Sequence, residues 1–261
     1  MDPICDDLVA EHDSLDELVA GIDEATWDRA TESPGWSIRD QVSHLWFFDQ
    51  RALMALTDPD AFAADAAELM RSGGTEASVV PGRSMTGAAM LVAWRRDRGR
   101  LVDVARGVDP SARVPWYGPA MGARSFVTAR LMETWAHGQD VADALGAERE
   151  PTDRLRHVAH IGVRARPFSY AIRKMAMPDA DVHVALTTPS GDTVTYGAPS
   201  SPDVVRGPLL DFCLVVTQRR HRVDTALEVH GPAAEEWMSI AQAFAGEPGP
   251  GRPPRETDTT G

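Results

Sequence analysis

The segment PGWSIRDQVSHLWFF, residues 34–48, decides the fold of this chain. Within it, Ser37 and Asp40 have the Ser-x-x-acid spacing of a capping box, in which each side chain binds the other residue's backbone N–H at a helix start. We therefore predict a helix over 37–57. His44 lies three and four residues before two phenylalanines, so it falls on an aromatic face of that helix.

A second stretch carries polar residues on a face that is otherwise apolar. We predict a helix over 125–145, ended by a glycine at residue 146. Glu133 and His137 are four residues apart, which places them on one helix face about 6 Å apart along the axis. Phe126 and Val141 share that face. The face is therefore predicted to point inward.

These inward polar groups indicate a metal site. Burying an unpaired carboxylate or imidazole costs several kcal/mol unless the group is paired or binds a cation. Glu133 and His137 from one helix and His44 from another would supply three ligands suited to zinc, iron or nickel, with a position open for substrate. The alternative is an ordinary hydrogen-bonded Glu-x-x-x-His pair on a helix surface.

The rest of the chain indicates an α+β protein. Periodic apolar residues, capping signals and turns predict further helices and strands: helices over 3–22, 85–106, 153–175, 208–220 and 232–245, a hairpin within 182–196, and a strand over 226–229. We predict a metal-binding helical bundle over 1–177, a small α/β module over 178–246 and a disordered tail over 247–261.

One loop carries large aromatic residues. Residues 108–122 are rich in proline and glycine and also contain Trp116 and Tyr117. Aromatic side chains in such a loop beside a helix start often line a pocket, so Trp116 and Tyr117 are candidate cofactor-binding residues. The alternative is that they fasten the loop to the core.

Composition excludes several classes of function. The chain has 261 residues and a formal net charge of −13, which argues against general binding to nucleic acid or to anionic membranes. Its two cysteines are too few for a disulfide framework. An acidic start and the lack of a long apolar run predict a cytoplasmic protein. The common hydrolase, nucleotide-binding and metalloprotease motifs are absent from the sequence.

The two polar stretches also carry a family resemblance. Residues 34–45 resemble the Gly-Trp-Ser-x-x-Asp…His-Leu stretch of the DinB-like superfamily, and METWAHGQD at 132–140 resembles the second metal-binding stretch of its mycothiol-dependent maleylpyruvate isomerase group. The chain looks most like an uncharacterised actinobacterial subfamily. The resemblance implies a four-helix bundle, a divalent metal (most often Zn²⁺, with Fe²⁺ or Ni²⁺ as alternatives) held by His44, Glu133 and His137, and mycothiol as a possible co-substrate.

Such a site would make a thiol reactive. A free thiol has a pKa near 8.5, and coordination to a metal deprotonates it, so the thiolate can add to a double bond or displace a leaving group. Together with this chemistry, the family resemblance implies isomerase or thiol-S-transferase activity on a small electrophile. Arg130, one turn before Glu133, is a candidate for steadying an anionic substrate or for a structural salt bridge. Asp140, one turn beyond His137, is a candidate acceptor for an imidazole N–H.

Other functions fit the same three ligands. A His₂Glu site with an open position also serves hydrolases and lyases that activate water. Two histidines and a carboxylate also form the facial triad of non-haem Fe(II) enzymes. A non-catalytic metal- or ligand-binding protein is the remaining alternative. The expected partner is a small molecule, and we expect a monomer or a homodimer.

Overall fold

The computed structural model describes residues 1–71 and 74–255. These residues form helices and small sheets, which confirms the mixed α+β class. The chain divides into two compact units, the first spanning Met1–Arg149 and the second beginning at Glu150.

The first unit is mostly helical. Its helices are α1 (Asp2–Val19), α2 (Glu24–Trp27), α3 (Ile38–Thr57), α4 (Pro59–Arg71), α5 (Val80–Arg83), α6 (Gly87–Gly107) and α7 (Ala123–Leu145). A 3-10 helix, Gly74–Ser78, precedes α5, and the short strands β1 (Arg113–Val114) and β2 (Met121–Gly122) pair antiparallel between α6 and α7. Helices α3, α6 and α7 begin and end within two residues of their predicted bounds. Helices α4 and α5 lie where we predict no element.

An apolar centre holds the long helices of the first unit together. Helix α3 packs against α6 and α7, and α1 packs against the same two helices. The fully buried side chains between them come from all four helices: Leu15, Val19, Ile38, Val42, Leu45, Met90, Trp94 and Val141. Each large apolar side chain so buried contributes about 1.5–3 kcal/mol. This packing places α3 beside α7, and so positions His44 near Glu133 and His137.

The second unit is a small sheet with helices. Its elements are α8 (Leu155–Arg164), α9 (Arg166–Ala171), β3 (Val182–Thr187), β4 (Thr193–Tyr196), β5 (Asp203–Pro208), α10 (Leu209–Val216), β6 (Glu228–His230) and α11 (Pro232–Ile240). The strand order is β4-β3-β5-β6, with β3 and β5 parallel and the outer pairs antiparallel. The hairpin predicted within 182–196 is therefore confirmed, whereas β5 is an element that we do not predict.

The helix predicted over 153–175 is wrong as a single element. The structure has two helices there, α8 and α9, separated at Ala165. Pro167 is the second residue of α9, and because proline lacks an N–H and clashes with the preceding turn, it prevents α8 from continuing. Helix α10 also ends earlier than predicted, at Val216. Two residues later Gln218 has a left-handed φ of 59°, which turns the chain out of the helix.

The unit boundary differs from the predicted one. We predict a boundary after residue 177, but the second unit already begins at Glu150. Helix α8 belongs to it because it packs on α10, where a Cβ added to Gly162 would lie 2.7 Å from Val216 Cγ2.

Two further expectations concern the tail and membranes. Residues 247–255 have neither helix nor strand, and residues 256–261 of the predicted disordered tail lie outside the described residues. Among the helices that the structure describes, none is both long and apolar enough to cross a membrane.

Candidate metal centre

The capping box fixes where α3 begins. The side chain of Ser37 accepts a hydrogen bond from the backbone N–H of Asp40, and the Asp40 carboxylate accepts one from the backbone N–H of Ser37. Arg83 forms an ion pair with Asp40 at 2.8 Å. This start determines the rotation of the helix, and therefore which face His44 occupies two turns later.

The three predicted ligands lie together. The ligand atoms of His44, Glu133 and His137 all lie within 4.8 Å of one another. His137 Nε2 is 3.3 Å from Glu133 Oε2, and the imidazole rings of His44 and His137 are 4.5 Å apart between centroids. Both histidines are buried, while the Glu133 side chain keeps 26% of its surface exposed. The cluster therefore has limited access to solvent.

A chain of hydrogen bonds orients the His137 ring. Its Nδ1 contacts Gln41 Oε1. The Gln41 amide is fixed by donation from its Nε2 to Thr31 Oγ1 at 2.9 Å, and the Thr31 hydroxyl donates in turn to the carbonyl of Trp36. Because the amide nitrogen is directed to Thr31, Gln41 presents its oxygen to His137, so Nδ1 carries the proton. Nε2 is then the atom that faces Glu133.

Ser78 orients the His44 ring in the same way. His44 Nδ1 is 2.8 Å from Ser78 Oγ. The single hydroxyl proton of Ser78 is directed to the carbonyl of Thr75, so its oxygen accepts from His44 Nδ1–H. Ser78 itself is fully buried at the end of the 3-10 helix. The Nε2 atom of His44 is therefore the one available as a ligand.

The donor set fits a cation. Two imidazole Nε2 lone pairs and a carboxylate are all acceptors, so a proton or a metal ion has to lie among them. Burial by itself would raise the pKa of Glu133, but in the metal-free site the hydrogen bond to His137, the positive charges that His137 and His44 would carry when protonated, and Arg130 lower this pKa to about 2. The carboxylate is thus anionic at neutral pH. Outer hydrogen bonds to Nδ1 of each ring are the usual support of histidine metal ligands.

Aromatic rings surround the cluster. The Trp36 ring lies nearly parallel to the His137 ring, with centroids 6.0 Å apart, and is 5.1 Å from His44. Phe48 lies 4.7 Å from His44 on the next turn of α3. These rings exclude water from part of the site, and low polarity strengthens electrostatic interactions there.

The candidate cofactor-binding residues continue this aromatic cluster. Tyr117 lies 5.6 Å from Phe48, and Trp116 stacks on Phe62 at 5.4 Å and meets Phe126 edge-on at 5.1 Å. Both therefore fasten the loop to the core, which is the alternative that the sequence left open for them. Contact with a cofactor stays a prediction for them.

The catalytic candidates have structural partners. Arg130 is buried and donates two hydrogen bonds to Asp49 Oδ1, whose carboxylate also accepts from Trp94 Nε1. Asp140 is fully buried and accepts a hydrogen bond from Ser33. Gln41 accepts from His137 Nδ1, and the role of Asp140 as an acceptor for an imidazole N–H stays a prediction.

Gln41 and Ser78 are the site residues that sequence reasoning missed. Gln41 had a detectable signal, because it is a polar residue three positions before His44 on the same helix. Ser78 had none, because it lies outside both predicted helices and reaches His44 only through tertiary packing.

Comparison with known proteins supports the same family. A sequence model of the mycothiol maleylpyruvate isomerase N-terminal domain matches residues 8–142. Two uncharacterized proteins of Mycobacterium tuberculosis, MT0041 of strain CDC 1551 / Oshkosh and Rv0036c of strain ATCC 25618 / H37Rv, are each 43% identical over 252 residues, which cover 96% of this chain and 98% of theirs.

Solved structures share the fold. The crystal structure of the mycothiol-dependent maleylpyruvate isomerase aligns with a TM-score of 0.59 at 14% identity, covering 89% of this chain and 95% of that one. A histidine-to-alanine mutant of that enzyme aligns with a TM-score of 0.55 at 15% identity, covering 84% and 89%.

A helical unit with two histidines and a glutamate converging between two helices defines a candidate metalloprotein. The chain belongs to the mycothiol maleylpyruvate isomerase family, on the match of its residues 8–142.

Proposed function

We propose that this chain is a metal-dependent enzyme of the isomerase or thiol-S-transferase type, with mycothiol as co-substrate and a small electrophile as substrate. The observation that carries the proposal is the convergence of His44, Glu133 and His137 with both Nδ1 atoms tied to outer acceptors. We infer that the thiol is mycothiol because the chain belongs to the mycothiol maleylpyruvate isomerase family. The long helices of the first unit would be the DinB-like four-helix bundle.

The ligand set favours zinc. Two histidines and one carboxylate are a common catalytic zinc set that leaves a position open, and nickel and iron accept the same donors. A metal held by these three residues would lower the pKa of a coordinated thiol.

The chain's own residues have separate tasks in this proposal. Gln41 and Ser78 hold the two imidazole rings so that Nε2 of each faces Glu133. Trp36 and Phe48 exclude water beside the cluster. Arg130 is a positioning residue, because its charge favours the anionic form of Glu133 while its guanidinium is held by Asp49. We propose no direct substrate contact for it.

Metal content tests the ligand assignment. We would measure metals by mass spectrometry on tag-free full-length protein and on the variants His44→Ala, Glu133→Gln and His137→Ala. His230→Ala is the matched control, because His230 is an exposed histidine on β6. We expect about one equivalent of zinc in the wild type and the control and a loss in the three ligand variants. Equal metal content in all five proteins would contradict the assignment.

Thiol dependence tests the reaction class. We would measure the rate at which the protein consumes two test substrates, an activated alkene and an aryl halide. Each would be assayed with mycothiol, with glutathione and without a thiol. Turnover that requires mycothiol and disappears in His137→Ala is the expected result. Turnover of esters or amides without thiol would favour a metal-dependent hydrolase. Stoichiometric iron with oxygen-dependent turnover would favour a facial-triad enzyme.

A further inference from the structure

A basic cleft lies within the second unit. It has a volume of about 160 Å³, and its lining includes four arginines and a histidine: Arg173, Arg220, Arg222, Arg252 and His221. Among the described residues, no aspartate or glutamate lines it. This is unexpected in a chain whose net charge is −13.

The cations come from separate parts of the chain. Arg173 follows α9, residues 220–222 follow α10, and Arg252 lies in the segment after α11. Arg220 donates to the carbonyl of Arg219, three residues beyond the end of α10. The cleft therefore gathers guanidinium groups from three segments of the second unit, and the surroundings of Arg173 indicate what they could bind.

Arg173 is the fixed cation of the cleft. Its guanidinium donates to three neutral oxygens, the carbonyls of Ser169 and Gly249 and the side-chain oxygen of Gln242. Among the described residues no carboxylate pairs with it, and burial lowers its pKa. A half-buried guanidinium held in place and not neutralised is predisposed to bind an anion, because its conformational entropy is already lost.

The other lining groups define the ligand further. His221 Nδ1 accepts the backbone N–H of Val223, so its Nε2 carries the proton and is a donor. Arg222 pairs with Glu235, which lies outside the lining. The remaining lining includes apolar side chains, among them the buried Val215 and Met238. Donors beside an apolar surface suit an anionic group attached to an apolar body.

We propose that this cleft binds a small organic anion, namely a phosphate or carboxylate that carries an apolar group. The site shares no residue with the His44–Glu133–His137 cluster. The proposal does not depend on the proposed function, since none of the three metal-ligand candidates lines the cleft.

The test is calorimetric titration of the full-length protein with phenyl phosphate, phenylacetate and inorganic phosphate, with and without a chelator. We expect saturable binding of one equivalent of phenyl phosphate or phenylacetate, weaker binding of inorganic phosphate, and no effect of the chelator. Whichever aromatic anion binds more tightly distinguishes phosphate from carboxylate as the preferred group.

Two variant pairs locate the binding. Arg173→Gln should weaken it at least tenfold, whereas Arg206→Gln, which removes an exposed arginine of β5 outside the cleft, should leave it unchanged. Because Arg173 also holds Gln242, a second pair uses Ser239, an exposed lining residue. Ser239→Asp should abolish binding by adding a negative charge, and Ser239→Asn should retain it.

Two results would overturn the proposal. One is no saturable binding of any of the three anions at millimolar concentration. The other is equal affinity in wild type, Arg173→Gln and Ser239→Asp, which would place the binding elsewhere on the molecule.

Discussion

At the scale of single residues, the proposed metal site depends on hydrogen bonds behind the ligands. Gln41 and Ser78 each accept from an imidazole Nδ1–H and so direct Nε2 toward Glu133. Outer partners of metal-bound histidines typically contribute 10- to 100-fold in metal affinity.

Gln41→Leu should therefore weaken Zn²⁺ binding by about 10- to 100-fold, because the His137 N–H would lose its acceptor and the ring its orientation. Gln41→Glu keeps an acceptor oxygen and should bind nearly as the wild type does. Affinity would be measured by competition with a chelating dye. Gln139→Leu is the control, since Gln139 on α7 donates its side-chain hydrogen bond to Asp143, at 3.0 Å. Wild-type affinity in Gln41→Leu would show that Gln41 does not position the ring.

His12 offers a second prediction at this scale. Burial, and then the charges of Arg98 and Arg130, hold the pKa of His12 well below 6.5, and its ring packs edge-on against Trp94 at 5.9 Å. A lowered folded-state pKa means that the unfolded chain takes up the proton first. The contribution of the neutral ring to stability is therefore complete above about pH 6.5 and is lost as the pH falls, by about 1.4 kcal/mol per pH unit.

Urea unfolding at pH 7.5 and 5.5, with chelator present, measures this effect. We expect the free energy of unfolding of His12→Phe to fall less between these pH values than that of the wild type, by about 1.4 kcal/mol. His230→Gln, at an exposed histidine, should keep the wild-type dependence. Identical pH dependence of wild type and His12→Phe would mean that His12 takes up no proton on unfolding.

At the scale of elements, packing decides where helices end and which ones pair. The capping box of α3 is local in sequence, so its helix is predicted within one residue. The pairing of α8 with α10 depends on a glycine at the point of contact, because a Cβ on Gly162 would lie 2.7 Å from Val216 Cγ2 and 3.1 Å from Phe212 Cε1. Gly99 of α6 provides the opposite case, since nothing lies within 4 Å of the same position.

Alanine substitutions at these two glycines should have opposite effects. Gly99→Ala should raise the free energy of unfolding by about 0.5–1 kcal/mol, because alanine favours a helix over glycine. Gly162→Ala has the same local gain but overpacks the contact with α10, which costs about 1–3 kcal/mol. We therefore expect the free energy of unfolding of Gly162→Ala, measured in urea, to be lower than that of Gly99→Ala by about 1–3 kcal/mol. Equal stabilisation by both substitutions would show that the α8–α10 contact tolerates a methyl group.

At the scale of the whole molecule, the candidate metal site belongs entirely to the first unit. The three ligands, Gln41 and Ser78 all lie within Met1–Arg149. The boundary that the sequence predicts lies after residue 177. It would assign α8 and α9 to the first unit and so separate α8 from α10, the helix on which it packs. Leu155 and Val158 are buried in the structure, in a helix that packs on α10.

Truncation distinguishes the two boundaries. We expect a fragment of residues 1–149 to fold and to bind one equivalent of Zn²⁺ with the affinity of the full chain. A fragment of residues 1–177 should be less soluble, because the apolar face of α8 would be exposed. Circular dichroism, sedimentation and Zn²⁺ titration check both. Failure of fragment 1–149 to bind Zn²⁺, while the full chain binds it, would mean that the site needs the second unit.

The sequence alone determined the features that depend on neighbouring residues. The start of α3, the common face of Glu133 and His137, and the hairpin within 182–196 follow from capping, helical spacing and alternation, which are local rules. The mixed α+β class and the three metal-ligand candidates follow from the same patterns together with the family resemblance, although binding of a metal by them stays a prediction.

Tertiary structure decided the features that depend on distant residues. Contact between His44 and His137 requires α3 to pack beside α7, and Ser78 reaches His44 across 34 positions of sequence. The basic cleft collects arginines from separate segments, and the break at Ala165 and the boundary after Arg149 reflect which helix faces pack together. Such contacts depend on how whole apolar faces fit one another, and no local pattern records that fit.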